Sequence, residues 1–153
     1  MHGLMVAVRY LPPGALIASA EPLEVTTILG SCVSVCLWDA DAGIGGMNHY
    51  LLPTGAATEQ AQRYGDAANA MLLERVLALG ANMRRLRAKV FGGACVVKAF
   101  RNGVTTFAER NIRVAQEFLR EQRIQLVNED VGGERGRKLR FRTDDGQALL
   151  RYV

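Results

Sequence analysis

Cysteine and histidine are the scarce residues of this chain: three and two, respectively, in 153. An odd, low cysteine count cannot supply the disulfide framework of a small secreted domain and reads as reduced thiols. Met1 to Tyr10 lack the basic start and long apolar core of a signal peptide, so the expected compartment is the cytoplasm. Nowhere do about eighteen apolar residues run together, which argues against membrane insertion as a helix. Charge is thin as well. The formal net charge is +4, and the basic residues cluster once, at Arg84, Arg85, Arg87 and Lys89. Nucleic-acid binding needs a basic stripe with a recognisable reading element; no such element is present, so no nucleic acid is expected as partner. Attraction to an acidic protein surface fits the same charge.

What remains is ordinary globular material, 49% hydrophobic and 22% charged. The length suits one domain over residues 1–153. Such a domain buries roughly two-thirds of the surface its unfolded chain exposes, so it can fold without disulfide or structural metal.

The apolar pattern predicts many strands and two helices. Val6 to Val8 is a short apolar stretch ended by Leu11-Pro12-Pro13-Gly14, a turn signal. Leu16 to Ala18 and Val25 to Leu29 read as strands. Val33 to Trp38 is almost wholly apolar, as expected of a strand buried on both faces. A turn over 39–43 leads to a strand from Ile44 to Leu52, stopped by Pro53. The polar stretch through Arg63 reads as loop. A helix is predicted from Asp66, as N-cap, to Leu79, burying Ala68, Leu72, Val76 and Leu79, with Gly80 at its C-terminal end. Ala88 to Phe91 and Ala94 to Ala99 look strand-like around Gly92-Gly93. A second helix over Asn111 to Gln122 would bury Ile112, Ala115, Phe118 and Leu119. Ile124 to Val127 is a strand. Leu139, Phe141 and Thr143 alternate with Lys138, Arg140 and Arg142, a strand with one wet face, and Asp145-Gly146 turns it into a partner over Leu149 to Val153. With hairpins expected at both ends, the class is α/β (α+β): a layered sandwich of mixed, largely antiparallel sheet with two main helices.

Chemistry is suggested by a pair. Cys32 follows Gly30-Ser31 at the mouth of the apolar strand, and His49 lies in the next one. His2 sits in the terminus, and Cys36 and Cys95, each in an apolar run, read as buried. If the turn pairs Asp39 with Ile44, Ser34 lies opposite His49 and Cys32 opposite Leu51. Cys32 and His49 are then diagonal neighbours on one face, roughly 7–8 Å apart between backbones. A slip of one residue would place them on opposite faces. A thiol is only a few per cent ionised at neutral pH, and an adjacent imidazole can accept its proton and later protonate a leaving group. Thr26, Thr27, Ser34 and Asn48 are candidates to orient the ring, and backbone N–H groups near Cys32 could face an oxyanion. Gly30 and Gly46 would border the cleft, with Met47 and Leu51 lining it. The rival reading is a zinc site from Cys32, Cys36, His49 and Cys95, whose separations match no diagnostic ligand pair. A module acting only by docking is a third reading, though docking gives no physical reason for the pair.

Thr26-Thr27-Ile28-Leu29-Gly30-Ser31-Cys32-Val33 followed by Gly46-Met47-Asn48-His49-Tyr50-Leu51-Leu52-Pro53 closely resembles the CheD family of chemoreceptor glutamine deamidases. Lys89-Val90-Phe91-Gly92-Gly93-Ala94, Glu109-Arg110-Asn111, Asp130-Val131-Gly132-Gly133 and Gly136-Arg137-Lys138 extend the likeness over nearly the whole chain. Ala108 and Cys95 depart from the family pattern. The resemblance implies a fold similar to toxin-type glutamine deamidases. It implies hydrolysis of glutamine amides on methyl-accepting chemotaxis receptors, in some members with a CheC-type phosphatase as partner, and without cofactor or metal. It also implies the catalytic set: Cys32, His49 and a threonine, Thr26 by its position six residues before the cysteine, with Thr27 as second choice.

Overall fold

The structure, a computed structural model, describes residues 6–55, 60–95 and 106–153. Within them nine strands form two sheets. The first sheet has the order β1 (Ala7–Tyr10), β3 (Leu23–Leu29), β8 (Arg137–Arg142), β9 (Ala148–Tyr152). The second has the order β2 (Leu16–Ser19), β5 (Ile44–Asn48), β4 (Val33–Asp39), β6 (Arg87–Gly92), β7 (Gln125–Val131). Only the β1–β3 and β6–β7 pairs are parallel; the other five pairings are antiparallel. Helices α1 (Gly65–Ala78) and α2 (Phe107–Glu121) cover the outer face of the second sheet. The architecture is the mixed, largely antiparallel layered α+β sandwich that the apolar pattern predicts.

The uninterrupted apolar run of β4 follows from its place at the middle of three layers. Val33, Val35 and Leu37 join Leu72, Val76, Ala115 and Leu119 in the core under the helices. Cys36 and Trp38 face Val25, Leu139 and Phe141 between the sheets. Each fully buried Val or Leu contributes roughly 1.5–3 kcal/mol, so exposing either face of this strand would cost more than a typical surface element can offset. Trp38 meets Phe141 edge-on across the sheets, with ring centroids 6.1 Å apart. The basic cluster serves structure in part: Arg85 binds Asp39 at 3.0 Å at the start of the β4–β5 turn, and Lys89 donates to the Gly146 carbonyl at 2.7 Å.

Several boundaries differ from the sequence expectation, each for a tertiary reason. No hairpin joins the N-terminal strands, because Pro12-Pro13-Gly14 passes the chain between sheets and β2 pairs with β5 instead. The strand expected to reach Leu52 ends at Asn48; beyond it Tyr50 bridges Val33, and Leu52 bridges Tyr64. Ala61–Arg63 form one 3₁₀ turn where loop was expected. Tyr64, not Asp66, precedes α1, and Asp66 lies in the first turn. Leu79 is exposed, since the helix has ended before it, while Gly80 does follow at φ +117°. β6 ends at Gly92 and residues 93–95 are irregular; residues 96–99 of the expected strand lie outside the described residues, as does His2. β7 continues through Asn128–Asp130 to Val131 because it pairs in parallel with β6 along that length.

Helix α2 begins a turn earlier than expected. Thr106 caps it, its hydroxyl accepting from the Glu109 N–H at 3.1 Å, in a Thr-x-x-Glu arrangement. The helix turns Ala108, Asn111, Ala115 and Leu119 inward and leaves Ile112 and Phe118 only half-buried. Thr106→Ala is expected to cost about 1 kcal/mol and to lower the thermal midpoint by about 2–4 °C, read by circular dichroism melting.

Candidate active site

The β4–β5 register decides whether Cys32 and His49 share a face. Asp39 pairs with Ile44 and Cys36 with Met47, and the same register continues to the Val33–Tyr50 bridge. Val33 and Tyr50 exchange both backbone hydrogen bonds, at 3.2 and 3.0 Å. Ser34 is therefore opposite His49 in a close, non-hydrogen-bonded pair, and Cys32 is diagonal to His49 on the same face. That face looks into the space between the sheets: Cys32 packs against the inter-sheet core, and His49 reaches across to β3. Cys32 is half-buried, whereas His49 is 1% exposed. Cys36 lies wholly in the core, and Cys95 is half-buried rather than enclosed.

The threonine that meets the ring is Thr27. Its Oγ1 lies 2.8 Å from His49 Nδ1 and 2.7 Å from the Leu11 carbonyl oxygen. A carbonyl can only accept, so the single hydroxyl proton points to Leu11. Toward the ring the hydroxyl oxygen must then accept, and Nδ1 must carry the proton. His49 is thereby set as the Nδ1–H tautomer, with a lone pair on Nε2. Nε2 is buried and has no hydrogen-bond partner among the described residues, nor has Ser34 Oγ. Thr26, the first choice from the family motif, alternates onto the other face of β3 with exposed Ile28, while Thr27 shares its face with buried Val25 and Leu29. The ring contact thus falls to Thr27, the second of the two threonines that the motif offers. Strand parity, with apolar Val25 and Leu29 flanking Thr27, was the signal, masked by apolar Ile28 on the opposite face.

The backbone around both groups is tightly held. The His49 N–H donates to the Ala15 carbonyl at 3.1 Å, and its carbonyl accepts from Gly14 at 2.7 Å. On the cysteine side, Gly93 N–H donates to the Cys32 carbonyl at 2.8 Å and Ala94 N–H to that of Gly30 at 2.9 Å. Gly92 permits this approach: its φ is +109°, and a Cβ there would collide with the Cys32 carbonyl oxygen. Arg137, 2% exposed, donates to Asp130 at 2.9 Å and to the Gly132 carbonyl at 2.8 Å, fixing the neighbouring glycine segment. Asn48 and Asn69, both buried, join β5 to α1 through a 2.8 Å hydrogen bond.

Burial acts on both reactive groups in the direction of neutrality. It holds the His49 imidazole down to about 4, far below the ordinary histidine value. It raises the Cys32 thiol, partly offset by the residue's own backbone N–H, which favours the thiolate. At neutral pH the resting site thus holds a thiol and a neutral imidazole. Beside it, a cleft of about 440 Å³ is lined by Pro13, Gly14, Leu51, Gln60, Gln62 and Arg63. Leu51 borders it, but neither Cys32 nor His49 lines it, and the expected Gly30 and Gly46 do not border it. Nor does Met47, being fully buried in the inter-sheet core, and Gly46 is enclosed between Ile17 and Leu72. Among the described residues no three metal-ligating side chains cluster, so the Cys32, Cys36, His49, Cys95 set has no geometric support.

Two outcomes follow for this geometry. Thr27→Val removes the acceptor of the Nδ1 proton and the donor to Leu11, so it should lower stability by roughly 1–3 kcal/mol. Thr26→Val, on the other face, should leave the denaturant midpoint within about 0.5 kcal/mol of the parent. His49 also predicts a pH dependence. The unfolded imidazole takes a proton near pH 6.5, whereas the folded one resists until about pH 4. Stability should therefore decline as pH falls through that window, by up to roughly 3 kcal/mol, and His49→Gln should flatten the decline in denaturant titrations.

The family model described as CheD chemotactic sensory transduction matches residues 51–152. A "Probable chemoreceptor glutamine deamidase CheD 1" of Anaeromyxobacter dehalogenans is 49% identical over 144 residues, covering 94% of this chain and 84% of that protein. A "Probable chemoreceptor glutamine deamidase CheD" of Trichlorobacter lovleyi is 48% identical, covering 92% of this chain and 88% of its own length. One of Sulfurimonas denitrificans is 40% identical over 149 residues, covering 95% and 94%. Two-thirds of the chain under the family model, and relatives matched almost end to end, place this protein in the CheD family.

Proposed function

We propose that this protein, residues 1–153 as one domain, is a cysteine-dependent glutamine deamidase acting on chemoreceptors, with Cys32 as nucleophile, His49 as base and Thr27 as the residue that orients the base. The observation that carries the reading is the proton-sharing arrangement at His49. Thr27 commits the proton to Nδ1 and leaves Nε2 as an unoccupied base on the face it shares with Cys32. The relatives, named as chemoreceptor glutamine deamidases, supply the substrate class.

The reaction needs only a thiol, an imidazole and water. As Cys32 Sγ attacks the carboxamide carbon of a receptor glutamine, its proton passes to His49 Nε2. Because burial disfavours a standing ion pair, transfer accompanies attack. Charge collects on the amide oxygen, where N–H groups of the Gly30–Cys32 turn can stabilise it. His49 returns the proton to the departing nitrogen, which leaves as ammonia, and a thioester remains. Water then attacks, giving one proton to His49, and collapse regenerates the thiol and releases glutamate. The sum is glutamine plus water to glutamate plus ammonia.

The substrate belongs to a receptor's cytoplasmic helices on this reading, so the protein works in the cytoplasm. No described helix is long and apolar enough to cross a membrane, which agrees with access from solution. On this reading the cleft lined by Gly14, Leu51 and Arg63 is the approach by which a helix-borne glutamine comes toward the half-exposed Cys32. A CheC-type phosphatase is carried by the family resemblance as a further partner.

Purified receptor fragment incubated with the protein should release ammonia. Cys32→Ser should lower that rate by roughly 10³-fold or more while leaving the melting temperature near that of the parent. Undiminished ammonia release from Cys32→Ser would refute the assignment of the nucleophile.

A further inference from the structure

The nucleophile turn and the histidine segment come from different stretches of chain, and they meet at one side chain that is neither nucleophile nor base. The Asn111 amide nitrogen, Nδ2, donates to the Ser31 carbonyl at 3.1 Å and to the Leu51 carbonyl at 3.0 Å. Ser31 directly precedes Cys32, and Leu51 follows His49 by two residues. One amide group thus uses its donors to tie together the two backbones whose separation sets the sulfur-to-nitrogen distance. Asn111 is 0% exposed and sits on the first turns of α2. Its own backbone carbonyl is held by the Tyr50 hydroxyl at 2.5 Å, and Tyr50 adjoins His49 in sequence.

Resting on the reading of the site just given, we infer that Asn111 is a positioning residue for the deamidation: it holds Cys32 and His49 in register for proton transfer. Two features separate this role from plain packing. First, Oδ1 of Asn111 is buried without a hydrogen-bond partner among the described residues. An unpaired buried acceptor is destabilising, so a side chain selected only to fill this volume would be apolar. The donors are what the position uses. Second, both acceptors belong to chain flanking the reactive pair, and neither is part of regular strand pairing. The β4–β5 ladder has ended at Asn48, and β4 starts only at Val33. The Val33–Tyr50 bridge is the last backbone pairing between the two segments, and just beyond it, at Ser31 and Leu51, the Asn111 amide is what ties them. No other residue type combines the reach and two donors here: Asp at this site would set a carboxylate against two carbonyl oxygens, and Ala would leave both carbonyls unpaired.

The test compares parent, Asn111→Ala and Asn111→Asp by three readouts: melting temperature, kcat and KM for ammonia release from receptor fragment, and the pH profile of Cys32 alkylation by iodoacetamide. Folded variants should show kcat lower by roughly 10–100-fold with KM changed less than threefold. Their Cys32 alkylation profile should shift toward that of an unassisted thiol, with reactivity at neutral pH lost. Variants that fold and keep the parent's kcat and alkylation profile overturn the proposal. Failure of both variants to fold also overturns it, making Asn111 a folding residue. The underlying reading fails separately, if the parent protein releases no ammonia or if Cys32→Ser still does.

Discussion

A threonine hydroxyl on one sheet accepts the imidazole proton of a histidine rooted on the other. The proposed chemistry depends on that contact being made across the layer boundary. Thr27 belongs to β3 of the four-stranded sheet, and His49 follows β5 of the five-stranded one. The sandwich core is therefore part of the site. Packing of Trp38 on Phe141, and of Val25 and Leu29 beneath Cys36 and Met47, sets the distance at which the hydroxyl meets the ring. Direction matters as much as distance. The Leu11 carbonyl takes the hydroxyl proton, and the remaining lone pair then dictates which imidazole nitrogen carries the ring proton. A main-chain oxygen with no chemistry of its own thus selects the tautomer.

Burial sets the electrostatic terms. A fully solvated cysteine–histidine pair would compete with water for every proton; one sealed entirely would admit no substrate. Here the imidazole is enclosed and the sulfur half-exposed. Enclosure keeps the His49 imidazole neutral well below neutral pH, which suits the proposed role as base, at a cost in acid stability. In the proposed reaction the raised thiol gives up its proton only as attack proceeds. Around this pair the backbone is held by glycines on one side, where Gly92 permits the approach of Gly93 to Cys32, and by the Asn111 amide on the other.

The strands that carry the site were readable because their patterns are local. The apolar run of β4, the turn over 39–43 and the pairing of Asp39 with Ile44 follow from period and turn chemistry, and they put Cys32 and His49 on one face. Asn111 was visible only as part of a family motif. In α2 it lies on the inward face with Ala108 and Ala115, between the two segments whose carbonyls it binds. The Thr106 cap that starts the helix is a local signal that the apolar spacing alone did not use.

By itself the sequence determined the layered class, the two helices and the β4–β5 register that puts Cys32 and His49 on one face, because each is written in the spacing of apolar and turn residues along contiguous stretches of chain. The tertiary structure alone decided which threonine serves the ring, how β1 and β2 divide between sheets, and what joins the two halves of the site. Thr27 and His49 are 22 residues apart, and Asn111 lies 80 and 60 residues from the carbonyls it binds. Hydrogen bonds over such separations leave no periodicity in the chain. They exist only once apolar burial has brought the layers together, and that closure is a property of the whole fold.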